Sequence, residues 1–507
     1  MRAETDNRRS SYLAIGRFVG VQCGALLLGL GLQAVLSRRL EQADYVRLVT
    51  GISLTSTLSV LVGGATPRAL ARLVAIDPGW AASARHAFWR VHLPCCSALA
   101  LLLIVSSPLL ARVYGDDALS IALCLLAVEF WLRAGFAEPV WQLLNGLGEH
   151  RSQARLMGTH SFIRAISTAS IVLAVPTIQS AILGLLLTAA VSAFLAVIVV
   201  RASVDAVAGF TDDRRHQLAA EVRRWWTYGA FVDASLFSLP ATSLWITMAF
   251  SPNHPQLAAL TASYVLGQAI VPLLQAVNRG FVRLTVVEGD NASASHARQV
   301  MADVLQGLLP IVGLILLMAF TGGAWAMRVL FGANYIADWW LPGVVVLGML
   351  GLSLSHLFSE ALSNCGKLRE RFVCMLAMGV CSITITLTFS KLWGPPGGAA
   401  AIGVTGVSVL LALGRLVQIR VGDFWPWRSL RDVLASAAIA MAIGGLISRR
   451  VSQDDWPTLA AITIAYFCGL LLTQEPGSQR LLRFLAARAK LAMGRRNPAI
   501  AENVESL

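Results

Sequence analysis

Ser180-Ala-Ile-Leu-Gly-Leu-Leu-Leu-Thr-Ala-Ala-Val-Ser-Ala-Phe-Leu-Ala-Val-Ile-Val-Val200 is an unbroken stretch without a single charge. An α-helix rises about 1.5 Å per residue, so a stretch of this length crosses the roughly 30 Å hydrocarbon core of a bilayer. The same pattern recurs on both sides of it. Apolar runs fall at about 18–36, 45–66, 93–111, 118–147, 156–175, 180–200, 226–250, 259–278, 304–326, 339–362, 372–390, 397–414, 432–448 and 457–473, with short charged loops between them. A mean hydropathy of +0.66 with 14% charged residues is more apolar surface than a soluble chain can hide. The sequence therefore predicts an all-α polytopic membrane protein of about fourteen transmembrane helices.

The loops set the orientation. With the N-terminus in the cytoplasm, eight basic residues face outward: Arg38, Arg39, Arg47, Arg112, Arg328, Lys391, Arg449 and Arg450. Arg133 and Arg164 fall inside runs, and the other 31 of 41 Lys and Arg lie in the tails and inward loops. This is the positive-inside bias, and it predicts that both termini are cytoplasmic. The net charge of +13 then reports orientation, and no nucleic-acid partner is needed to explain it. The first 16 residues are mostly polar and no small-x-small cleavage site follows, so the first run reads as a retained span. Of the eight cysteines only Cys95 and Cys96 are adjacent, and there is no Cys-x-x-Cys; buried free thiols are expected.

Internal repetition suggests the architecture. Run three ends in Ala111-Arg-Val-Tyr-Gly115-Asp116 and run nine in Met327-Arg-Val-Leu-Phe-Gly332-Ala333-Asn334, with Gly115 and Gly332 217 residues apart. Run four ends in Leu144-Asn145-Gly-Leu-Gly148 and run ten in Leu362-Ser-Asn364-Cys-Gly366, with the two asparagines 219 apart. Runs two and eight both open on a tyrosine, Tyr45 and Tyr264. Each pair is offset by six runs. Two six-helix lobes in pseudo-repeat follow, residues 1–203 and 225–420, joined by a cytoplasmic linker at 204–224. Two accessory spans occupy 421–476. The basic tail 477–507 carries alternating Leu and Arg from Gln479 to Arg496, a pattern suited to an amphipathic helix on an anionic leaflet or to a solvated tail.

No loop is longer than about 30 residues, which leaves no room for a catalytic domain. Gly394-Pro-Pro-Gly-Gly398 lacks the Lys-Ser/Thr of a phosphate-binding loop, and the histidines show no metal-ligand spacing. No enzyme activity and no cofactor is expected.

The informative residues are charges inside runs, since each costs at least about 2.5–3.5 kcal/mol at the bilayer centre without a partner or a hydrated cavity. Run four carries Glu129, Arg133 and Glu138. Glu129 and Arg133 are one helical turn apart and can pair. Glu138, five residues beyond Arg133, is rotated about 140° from it on an α-helix and is expected to face another helix or a cavity. A structural ion pair and a tuned cationic cavity are both open readings. Run five adds His160 and Arg164, one turn apart. Arg17 and Arg279 stand at inner ends of runs, where snorkelling to headgroups and lining the cavity are alternatives. Asp233 has no charged neighbour on its own helix, and Glu360 sits near Asn364. These acids are either protonated and structural or bind a coupling cation.

Arg328-Val-Leu-Phe-Gly-Ala-Asn-Tyr335, about 25 mostly apolar residues and then Leu362-Ser-Asn-Cys-Gly-Lys367 together resemble spans nine and ten of Wzx-type polysaccharide flippases. Ser37-Arg-Arg-Leu-Glu-Gln-Ala-Asp-Tyr45 and Gly63-Gly-Ala-Thr-Pro-Arg68 fit the opening of the same family. It belongs to the multidrug/oligosaccharidyl-lipid/polysaccharide superfamily. The resemblance covers about residues 10–475. It implies a multi-pass bacterial inner-membrane protein that flips an undecaprenyl-pyrophosphate-linked oligosaccharide from the cytoplasmic to the periplasmic leaflet. Membrane lipids are implied partners, and so are a polysaccharide polymerase and chain-length proteins. Arg133, Glu129, Glu138, Arg164, His160, Arg17 and Arg279 would then meet the substrate. The related lipid II flippases use an acid on span seven for a cation, which places Asp233 in that role with Glu360 and Asn364 as companions. A drug/cation antiporter of the same superfamily is the alternative, favouring an acidic cavity; a membrane polymerase would need a large external loop.

Overall fold

The computed structural model describes residues 2–204, 212–252, 254–286, 294–335, 338–448 and 456–472. Among these residues there is no strand. The helices in order are α1 (Arg2–Arg39), α2 (Gln42–Gly63), α3 (Thr66–Ile76), α4 (Ala84–His86), α5 (Leu93–Val113), α6 (Ala118–Leu132) and α7 (Glu138–Gly146). They continue as α8 (His150–Ala174), α9 (Ile178–Val204), α10 (Asp212–Arg224), α11 (Ala230–Phe250) and α12 (Leu257–Val286). The chain then forms α13 (Ala294–Phe331), α14 (Leu341–Asn364), α15 (Leu368–Val421), α16 (Trp427–Ser448) and α17 (Trp456–Leu472). Three π-helical turns, Ala87–His92, Arg133–Ala137 and Trp225–Gly229, lead into α5, α7 and α11.

The chain is an all-α polytopic membrane protein. Ten described segments are long and apolar enough to cross a bilayer, with Leu257–Val271 and Leu459–Leu470 as shorter apolar helices. Length and apolarity thus certify ten spans, against about fourteen expected from the runs. One cause is α15, which counts once although Gly394 (φ 59°, ψ −138°) breaks it in two. Pro395 and Pro396 follow the break, where missing N–H groups at a helix start cost nothing. The segment after α2 also differs from a plain loop: Pro67 opens α3, and Asp77 Oδ1 accepts from Gly79 N at 2.8 Å to start a 3-10 turn over Pro78–Ser83. Residues 205–211 of the expected linker and the tail 479–496 lie outside the described residues.

The repeated glycines have a backbone reason. Gly115, Gly148 and Gly366 take positive φ (64°, 72° and 74°), and the residue after each donates back five residues: Asp116 to Ala111, Glu149 to Leu144 and Lys367 to Leu362, at 2.8–2.9 Å. These are left-handed glycine caps that satisfy the last carbonyls of a helix. Gly148 and Gly366 thus close runs four and ten with the same cap, shortly after Asn145 and Asn364.

The chain divides into two compact units, Met1–Ala292 with Ala326–Val417, and Ser293–Trp325 with Gln418–Leu507. In the first, Leu36, Tyr45, Leu48, Ile182, Leu260, Phe331 and Met349 belong to one buried cluster. Its outer faces carry apolar stripes at helical spacing, such as Leu101, Val105 and Leu109 on α5. Such a stripe suits a lipid-facing surface. In the second unit Tyr466 is buried among Leu317, Val433 and Leu470, and its hydroxyl donates to the Pro310 carbonyl at 2.8 Å.

Candidate functional site

Within the first unit lies a cavity of about 390 Å³, bounded by α1, α2, α8, α11 and α12. Its polar lining is Gln22 and Gln33 from α1, Ser53 and Ser56 from α2, His160, Ser161 and Arg164 from α8, and Tyr264 and Gln268 from α12. Among the described residues no carboxylate lines it. His160 is held in place, with Nδ1 2.8 Å from Ser192 Oγ and its ring against Trp141. Gln268 donates to the Tyr264 hydroxyl at 3.1 Å. Arg164 differs: its Nε is buried and has no hydrogen-bond partner. A buried donor left bare is costly unless an acceptor completes it. The cavity is thus a largely apolar chamber that carries scattered amides and hydroxyls and one guanidinium short of an acceptor.

The Glu129–Arg133–Glu138 set forms a separate cluster beside the cavity and is not among its lining residues. Arg133 Nε donates to Glu129 at 2.7 Å, its Nη1 pairs with Glu138, and Ser59 Oγ donates to Glu138 at 2.6 Å. The expectation that Glu138 faces away from Arg133 is corrected. The helix passes through a π-turn here, and Glu138 N–H donates to the Arg133 carbonyl five residues back. That wider turn brings the fifth residue round beside the first.

The next rung of the ladder explains His92. Pro139 has no N–H to offer the Ala134 carbonyl. His92, fully buried on the neighbouring segment, puts Nε2 2.8 Å from that carbonyl. A carbonyl only accepts, so Nε2 carries the proton. His92→Leu should therefore destabilise by about 1–3 kcal/mol, the cost of an orphaned buried carbonyl. His92→Gln should restore much of it. In a Pro139→Ala background, where a backbone N–H returns, His92→Leu should cost less. Melting temperatures of the purified variants test this cycle; equal losses in both backgrounds would contradict it.

At the end of the bundle where α2, α14 and the first half of α15 meet, a second charged cluster bridges several helices. Arg68, in the first turn of α3, pairs with Asp233 Oδ2 at 2.7 Å and with Glu360. Arg371, fully buried on α15, donates to Ser359 Oγ at 2.9 Å and Ser363 Oγ at 2.6 Å, and lies 3.6 Å from Asp233 Oδ1. Both guanidinium groups lie over the Trp225 ring, at 5.4 and 5.8 Å. Gly64 permits the approach, because a Cβ there would meet Asp233 at 3.2 Å and the Val60 carbonyl at 3.0 Å. The opposite end is also bridged. Tyr45 packs edge-on against Tyr335 (5.5 Å), the Tyr335 hydroxyl donates to the Ser37 carbonyl at 3.3 Å, and Arg38 donates to the Val329 carbonyl. Tyr45 also donates to Gln33 in the cavity wall, at 2.9 Å.

A protein-family model described as "polysaccharide biosynthesis protein" matches residues 16–276, just over half of the chain. The chain belongs to that family. Among solved structures, this family member is similar to the lipid II flippase MurJ in an inward closed conformation, at 13% identity and a TM-score of 0.65, covering 92% of this chain and 99% of that one. It is also similar to a mutant of the Vibrio cholerae MATE transporter VcmN (12% identity, TM-score 0.60, 82% and 97% covered). A eukaryotic MATE transporter gives 16% identity and a TM-score of 0.60, with 81% and 100% covered. These likenesses establish a shared fold. No curated protein matches the chain.

For this family member the structure gathers His160 and Arg164 at the cavity, Glu129, Arg133 and Glu138 beside it, and Asp233 with Glu360 at the Arg68 end. The side chains of Arg17, Arg279 and Asn364 lie outside the described residues. Sequence reasoning missed Arg68 and Arg371 as site residues, because both sit at helix ends and were counted with the positive-inside charge. The available signal was Arg371 in the first turn of an apolar run, close in sequence to the hydroxyls at 359 and 363.

Proposed function

We propose that this protein flips a polyprenyl-pyrophosphate-linked oligosaccharide repeat unit from the cytoplasmic to the periplasmic leaflet of a bacterial inner membrane, serving surface or secreted polysaccharide synthesis. The observation that carries the reading is the cavity: amides and hydroxyls to meet sugar, one unsatisfied guanidinium to meet phosphate, and no carboxylate among the described lining residues. Arg suits phosphate because its planar fork matches two oxygens at once. Family membership and the shared fold of a lipid II flippase support the same direction. In this reading the lipid tail stays in the bilayer while the head crosses, and the bias of basic loops puts the Arg68 end in the cytoplasm. Glu129, Arg133 and Glu138 tune the field at Arg164, which lies within electrostatic reach of Glu129 and Arg133. The protein works as a transporter, not an enzyme, and draws its direction from an ion gradient or from consumption of the product outside.

A drug/cation antiporter needs a cavity that attracts cations, and the described lining residues offer it no acid. Deleting the gene in its host separates the two. A flippase predicts accumulation of lipid-linked repeat units in the inner membrane and loss of the polymer. Unchanged polymer with new sensitivity to cationic drugs would support the antiporter instead.

A further inference from the structure

We propose that the cavity between the start of α13 and the connection from α15 to α16 binds the headgroup of a zwitterionic phospholipid, phosphatidylethanolamine, with its phosphate on Arg298 and its ammonium on Asp423. The inference does not depend on the flippase reading.

The cavity has a volume of about 530 Å³ and lies wholly within the second compact unit. Arg298 and Gln299 of α13 line one side, and the connection residues Asp423 to Pro426 line the other. The connection is pinned in shape. Gly422 takes a φ of 106°, and its N–H donates to the Gln418 carbonyl at 3.1 Å. Asp423 Oδ1 accepts from Trp425 N at 3.3 Å and from Gln418 Nε2 at 3.5 Å. The Phe424 ring stacks on Trp425 at 5.2 Å, and Trp425 lies 5.8 Å from Trp427. The bare backbone of Gly422 lets Arg298 come close, since a Cβ there would stand 3.5 Å from Arg298 Cδ.

The wall therefore presents one cation and one anion. Both side chains are exposed, and among the described residues neither has an ion-pair partner. The hydrogen bonds of the turn fall on Asp423 Oδ1, so Oδ2 keeps its acceptor capacity. A ligand that suits this wall carries both signs a short distance apart. An anionic headgroup would satisfy Arg298 and be repelled by Asp423. Phosphoethanolamine joins a phosphate ester to a primary ammonium through a short ethylene link, so each charge finds its opposite. Its ammonium also has N–H groups to donate to the carboxylate. A choline headgroup has the charge without the N–H.

The surroundings favour a lipid over a soluble zwitterion. Trp427, Leu434 and Met441 are exposed and fall seven residues apart along α16, which puts them close to one face of the helix. That stripe begins beside the cavity and offers acyl chains a surface to lie on. Trp rings at its head match the headgroup level of a bilayer, where an apolar body and a polar edge are both satisfied.

Native mass spectrometry of the purified full-length protein tests this, with phosphatidylethanolamine, phosphatidylglycerol and phosphatidylcholine of identical acyl chains in competition. Wild type should retain phosphatidylethanolamine over the other two. Arg298→Gln and Asp423→Asn should each weaken that retention by roughly two- to fivefold, the scale of an exposed charge pair. Asn keeps an oxygen to accept from Trp425 N–H and removes the repulsion, so Asp423→Asn should also gain retention of phosphatidylglycerol. That reversal separates lost recognition from a misfolded site, which would lose all three lipids alike. Free phosphoethanolamine at the lipid's concentration should displace little of it; complete displacement would assign the cavity to a soluble zwitterion and overturn the lipid. Equal retention of phosphatidylethanolamine and phosphatidylglycerol by wild type, or wild-type retention in both variants, would overturn the proposal as well. No flipping is measured, so this result and the transport reading stand or fall separately.

Discussion

Arg164→Ala should lower the rate of oligosaccharide-lipid flipping by roughly 10- to 150-fold, the equivalent of losing about 1.5–3 kcal/mol of charge-assisted hydrogen bonding to phosphate. The reason is local. Among the described lining residues, Arg164 is the one basic group whose nitrogen is buried and unsatisfied, while His160 is engaged with Ser192. Arg164→Lys keeps the charge and loses the fork, so it should fall between wild type and alanine. Neither change removes a partner from another charge in the resting protein, so the amount of folded protein in the membrane should stay near normal. Rates in membrane vesicles, normalised to protein, check this. Wild-type flipping in Arg164→Ala would remove Arg164 from the substrate path.

Arg133→Ala should instead act on folding. It leaves Glu129 and Glu138 facing each other without their cation, and breaking a buried pair in this way costs about 3–5 kcal/mol. Because Arg133 pairs with both acids, a double change at Glu129 and Arg133 would still strand Glu138. The informative variant is the triple change Glu129→Gln/Arg133→Met/Glu138→Gln, which leaves no charge. It should recover the stability that Arg133→Ala loses, as read by melting temperature. Whether the triple variant also flips decides what the cluster does. Activity would reduce it to packing, and a folded but inactive protein would support a role in tuning Arg164.

Much of the fold was legible because membrane helices advertise themselves: the run ending at Val200 needs no partner to be recognised. Gly148 and Gly366, at the ends of runs four and ten, take a positive φ that only glycine adopts cheaply, so those two helix ends were marked in the sequence. What was hidden had physical causes. The α-helical period places Glu138 away from Arg133, and only the π-turn brings it back; Pro139 was the sequence's one hint of that break. Arg68 and Arg371 were hidden by their number among many arginines at helix ends, where a charge that is buried and bonded looks like one that snorkels. Asp233 and Glu360 stood out as lone acids in apolar helices, but the basic groups that meet them lie 165 and 292 residues away in sequence at Arg68. Pairing across such separations leaves no local pattern.

One measurement bears on the proposed transport more than any other. The purified protein is reconstituted into vesicles holding a polyprenyl-pyrophosphate oligosaccharide, and the fraction of sugar reached by an enzyme added outside is followed with time. The flippase reading predicts that labelled heads from the inner leaflet become accessible in protein-containing vesicles, that protein-free vesicles stay protected, and that Arg164→Ala vesicles lag far behind. Equal protection with and without the protein, in vesicles where it is folded, would contradict it.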